Sequence, residues 1–84
     1  MDFDKDQFLV LFGENIGKIR TEKKLSLRQL SQYCDIDHSD ISKIEKGERN
    51  IQMSTILQLA KGLSKTPREL FDFDYEMVIY KNDK

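Results

Sequence analysis

Apolar residues recur at helical spacing from Phe8 through Phe12 and Ile16 to Ile19, the pattern of a helix with one buried stripe. The pattern predicts a long first helix over roughly residues 6–23. Gly13 and Gly17 lie four apart inside it. Each costs about 1 kcal/mol against Ala in a helix, so a neighbouring helix packed close against them is expected. Ser26 followed by Gln29 is a capping box, which starts a second helix at Leu27. Leu30, Ser31 and Cys34 share its inner face, with Cys34 expected as a small buried hydrophobe. The pattern breaks at Asp35-Ile36, and Asp37 is a good N-cap for a third helix over 38–46. That helix has only Ile41 and Ile44 as apolar residues, and Gly47 stops it. A fourth helix follows, with Met53, Ile56, Leu57, Ala60 and Leu63 as its expected stripe. Thr66-Pro67-Arg68-Glu69 caps a short fifth helix ending near residue 71. The β-prone run from Tyr75 to Tyr80 reads as a short strand or extended arm.

The fold class that follows is all-α: five helices in one compact domain over 1–73, with a tail over 74–84 as a dimerisation element. Helix 27–34, a turn, and helix 38–46 have the dimensions of a helix-turn-helix unit. A helix presented in this way fits the major groove of DNA, which is about 12 Å wide.

The stretch FGENIGKIRTEKKLSLRQLSQYCDIDHSDISKIEKGERN, continued by STILQLAKGLSKTPRELFDF, resembles the lambda-repressor and Cro-type (XRE) helix-turn-helix family over about residues 8–73. The ordered motifs are L-S near the second helix, I-S-x-I-E-x-G-E-R after it, and I-x-x-L-A-x-x-L. The resemblance implies a lambda-repressor-like fold and sequence-specific binding of double-stranded DNA by a homodimer on a palindromic operator. It implies a structural ion pair between Arg20 and Glu45. It implies base reading by His38, Ser39 and Lys43 and by Asp40 beside them, whose carboxylate can accept from cytosine N4, and phosphate contacts from Arg28, Lys46, Arg49 and Asn50. Small repressors and controllers of restriction-modification genes have this stand-alone form. An antitoxin, or a helix-turn-helix domain turned to protein–protein interaction, are the alternatives. Four positions depart from the family pattern. Asp35 stands where Gly usually makes the turn with positive φ, Leu27 where Gln is common, Gly17 where Arg is common and Ile51 where Pro is common.

Composition narrows the chemistry. The 84 residues include one His and one Cys, so neither a histidine metal cluster nor an internal disulfide is expected. There is no glycine-rich phosphate loop, no CxxC and no base placed beside Ser26, so no enzyme activity, cofactor, metal or small-molecule ligand is expected. No apolar run is long enough to span a membrane and the acidic start MDFDKD is unlike a secretory signal, so a cytoplasmic location is expected. The formal net charge of −1 argues at first against nucleic acid, but it is unevenly spread. Residues 1–17 carry −3, residues 18–50 carry +2 and the remainder is balanced. The basic part coincides with the helix-turn-helix. Six acids share that region, which predicts a small phosphate footprint and affinity that depends on pairing. The expected pairing surface is Leu63, Leu70 and Phe71 with Tyr75, Met77 and Ile79 of the tail.

Overall fold

The computed structural model describes residues 3–76. Its elements are α1 (Phe3–Glu22), α2 (Leu27–Tyr33), α3 (His38–Glu45), α4 (Met53–Leu63) and α5 (Pro67–Leu70). No strand occurs among the described residues. Met77 and Ile79, and with them most of the expected strand, lie outside those residues.

The helix starts follow their caps. Ser26 accepts from the Gln29 N–H while Gln29 accepts from the Ser26 N–H, and Thr66 and Glu69 repeat the exchange at α5. The Asp37 side chain accepts from the Ser39 N–H at the start of α3. The end of α3 is a Schellman turn: Gly47 N–H donates to Ile44 C=O, and Glu48 N–H to Lys43 C=O. Gly47 has φ 77°, and a Cβ there would meet Val10 of α1, so both backbone and packing require glycine.

Phe12, Ile16, Ile19, Leu30, Ile41, Ile44, Leu59, Ala60, Leu63 and Leu70 form one core. α3 packs against both α1 and α2, and α4 closes over α2. Asn15 is the buried polar residue of α1. Its side-chain amide donates to the Glu69 and Leu70 carbonyls, tying the end of α5 to α1.

Three expectations are corrected. The α4 stripe is rotated: Leu59 is fully buried, whereas Met53 is 83% and Leu57 46% exposed. The inward set Ile56, Leu59, Ala60 and Leu63 satisfies the same helical spacing, and α2 selects it by packing on that side. The turn between α2 and α3 uses no left-handed residue at Asp35; among the described non-glycine residues only Lys24 and Ser64 have positive φ. Extended backbone at Cys34 makes the bend, and the Gln58 side chain accepts from the Asp35 N–H at 3.3 Å, fastening the turn to α4. Finally, Leu63 and Leu70 are both 0% exposed and complete the core, so they are unavailable as a surface for a second subunit.

Tyr75, expected on a pairing surface of the tail, instead packs on α1 of its own chain. Its hydroxyl donates to the Asp4 carbonyl at 2.8 Å, and its ring meets Phe8 edge-on with centroids 5.3 Å apart. Phe71 and Phe73 pack on Phe8 as well, so the chain after α5 lies along the start of α1.

Candidate nucleic-acid interface

α3 is held by an inner face of two residues, Ile41 at 0% and Ile44 at 4% exposure. So small an apolar face needs other restraints, and α1 supplies them. A Cβ on Gly13 would collide with the Ile44 carbonyl oxygen and stand 2.6 Å from that of Glu45, so the last turn of α3 rests directly on the backbone of α1. At Gly17 a Cβ would lie 3.1 Å from Glu45 Oε1, so glycine leaves space for that carboxylate. Arg20 then meets Glu45 with both ends of its fork, Nε to Oε2 at 2.7 Å and Nη2 to Oε1 at 3.0 Å. Its remaining Nη1 donates to the Leu25 carbonyl at 2.8 Å. The hydrogen bond to Glu45 raises the Arg20 pKa above its ordinary value, outweighing the opposing effect of burial. One guanidinium thus joins α1, the α1–α2 loop and α3, and fixes the orientation of the helix.

The opposite side of α3 is polar and open. At about 100° per residue, Ser39 and Lys46 point away from the buried isoleucines, with Ser42 and Lys43 on either side. Ser39, Lys43 and Lys46 are exposed and Ser42 is half-buried. Ser42 was not singled out by sequence reasoning; its position opposite Ile41 and Ile44 was the available signal. His38 and Asp40 sit at the two edges of this face rather than at its centre. His38 Nδ1 lies 3.8 Å from the Asp37 carboxylate. The Ser39 hydroxyl donates to the same carboxylate, which leaves its oxygen as an acceptor. The bonds from the Ser39 hydroxyl and backbone N–H pull the Asp37 pKa below the usual carboxylate range, and His38 and Arg28 add to the effect.

Of the residues expected at phosphates, Arg28 on α2, Lys46 at the end of α3, and Arg49 and Asn50 in the following loop are all exposed. Lys46 continues the outer face of α3 at its C-terminal end, Arg28 acts on Asp37 at its N-terminal end, and Arg49 reaches Asp40 at its edge. Arg49 is not free: Nη2 lies 3.3 Å from Asp40 Oδ1. Both residues line an open cleft of about 310 Å³ with Asp35, Asp37, Asn50 and Thr55. No group of three or more metal-ligating side chains occurs among the described residues, and no helix there is long and apolar enough to cross a membrane. Cys34 is half-buried with its thiol on the Leu30 carbonyl at 3.3 Å, and burial pushes its pKa up.

A helix-turn-helix family model, HTH_3, matches residues 16–70. Among curated proteins the chain is similar to the control protein C.BamHI of Bacillus amyloliquefaciens, 37% identical over 65 residues that cover 76% of this chain and 80% of that protein. It is also similar to the transcriptional repressor RghR of Bacillus subtilis, 38% identical over 83% of this chain but only 47% of that protein. Among solved structures, the restriction-modification controller protein C.AhdI of Aeromonas hydrophila superposes with a TM-score of 0.73 at 41% identity, covering 75% of this chain and 96% of that one. The controller protein C.Esp1396I, solved as a tetramer with its natural 35-base-pair operator, gives 0.73 at 28% identity, covering 86% and 90%.

Proposed function

We propose a function from one premise: the chain belongs to the helix-turn-helix family HTH_3, whose model matches residues 16–70. It is a DNA-binding transcription regulator of the restriction-modification controller type, acting as an oligomer on operator DNA. The observation that carries this reading is the asymmetry of α3. Its inner face is clamped to α1 by Gly13, Gly17 and the Arg20–Glu45 pair, and its outer face presents Ser39, Ser42, Lys43 and Lys46 to solvent. A rigidly held helix with short acceptors and lysines outside is suited to base edges in the major groove. Lys43 donates to guanine O6 or N7, and Ser39 accepts from an amino group of adenine or cytosine. Arg28, Lys46, Arg49 and Asn50 hold the flanking phosphates and set the register.

A homodimer places two α3 helices in successive turns of the groove, about 34 Å apart. With Leu63 and Leu70 in the core, the exposed apolar residues that could serve such pairing include Met53 and Leu57 on α4, Tyr33 on α2 and Phe71 after α5. Selection from a random duplex pool tests the reading. The expected product is a pair of inverted half-sites spaced by one helical turn, with Lys43→Ala relaxing preference at one position per half-site at a cost of about 1–3 kcal/mol. A pool that shows no enrichment overturns it.

A further inference from the structure

Asp40 has the wrong place on α3 to be a reader. It lies toward the buried side of the helix, at the edge that faces the α3–α4 loop, and its carboxylate meets the Arg49 guanidinium at 3.3 Å. Three carboxylates, Asp35, Asp37 and Asp40, line the cleft at this edge, and Arg49 is the one cation among its lining residues. Left alone, that edge would repel a phosphate backbone. Arg49 itself follows the Schellman turn by two residues, on an exposed loop where a long side chain samples many rotamers. The contact to Asp40 uses one face of Nη2 and leaves the Nε and Nη1 donors of the fork open.

We infer that Asp40 is a positioning residue: it reads no base, and it holds Arg49 against the edge of α3 so that the open side of the guanidinium meets a backbone phosphate. The inference rests on the DNA-binding reading above. Arg49 offsets one of the three carboxylates at the groove edge, so the cleft opposes DNA less than it would without the pair. The guanidinium is ordered before binding, so less freedom is lost when it meets phosphate. The exposed pair contributes little to folding, as isolated surface pairs do, which separates its role from stability.

The test is a double-mutant cycle on the full chain, with Asp40→Asn and Arg49→Ala, read by affinity for a selected operator, by the salt slope of binding and by base preference. Wild-type protein that binds no duplex at low salt overturns the DNA reading and this inference together. Given wild-type binding, Asp40→Asn is expected to weaken affinity roughly three- to tenfold and flatten the salt slope by about 1 per subunit as a phosphate contact is lost. Base preference and melting temperature stay unchanged. In the Arg49→Ala background, Asp40→Asn has no further effect. Three results overturn the inference: tighter or unchanged binding in Asp40→Asn, a changed base preference, or an effect that persists without Arg49.

Discussion

The seam between α1 and α3 and the segment after α5 both lie against α1, but they are held by different physics. At the seam, backbone meets backbone at Gly13 and a two-pronged ion pair links Arg20 to Glu45. After α5, aromatic rings gather on Phe8 and one Tyr75 hydroxyl reaches Asp4. The first kind of contact admits one geometry. The second is an area term with broad orientation preferences. The seam therefore sets the pose of α3, and the aromatic segment adds stability without directing that pose.

The contrast is broken most sharply at Gly13. Helix propensity alone makes Gly13→Ala a gain of about 1 kcal/mol. Collision with the α3 carbonyls reverses the sign, and a net loss of about 2–3 kcal/mol in denaturant unfolding is expected. A stabilised variant would mean that the two backbones are not seated as described. Next in size, Arg20→Ala leaves the Glu45 carboxylate without its partner and should cost about 2 kcal/mol, less than a fully buried pair because both side chains retain some solvent contact. DNA affinity should fall further than stability alone accounts for, since α3 loses its orientation. In the aromatic segment, Tyr75→Phe keeps the ring on Phe8 and removes the hydroxyl's bonds to Asp4, for a loss of about 1 kcal/mol and no change in DNA affinity.

The smallest effect concerns acid. Asp37 and Glu69 each cap a helix and have pKa values lowered by bonds to Ser39 and Thr66 respectively. A depressed folded pKa gives stability that is complete above the unfolded value, near 4, and is lost as pH falls through the lower folded value. Asp37→Asn should thus weaken the acid-induced decline in melting temperature below about pH 4, with a shallow slope because the group is exposed. An unchanged acid limb would remove Asp37 from that account.

How far the sequence disclosed the molecule follows the same division. Contacts written in local chemistry were legible. Capping boxes at Ser26 and Thr66, the N-cap at Asp37 and the glycine stop at Gly47 mark element ends that hydrogen bonds then make. The four-residue spacing of Gly13 and Gly17 pointed to a close helix, and α3 is that helix. What depends on the direction of a neighbour was not legible. The α4 pattern satisfied two overlapping stripes, and only the location of α2 decides that Leu59 goes in while Met53 and Leu57 stay out. Leu70 was expected at a pairing surface, and Leu63 there as well as in the α4 stripe, but both are buried, because burial and pairing use the same residue types. Asn15 carried no signal, since its partners are the carbonyls of Glu69 and Leu70, more than fifty positions away. At the candidate interface the residue types were legible, whereas the tie between Asp40 and Arg49 was not, because it spans a turn whose shape local spacing does not fix.

Salt dependence of binding decides whether α3 and its flanking cations hold DNA. With Arg28, Lys46 and Arg49 proposed at phosphates, a dimer would make six cationic contacts. A plot of log binding constant against log salt on a selected operator should then fall with a slope of about −5. Binding that is absent at low salt, or a slope near zero, would contradict the account.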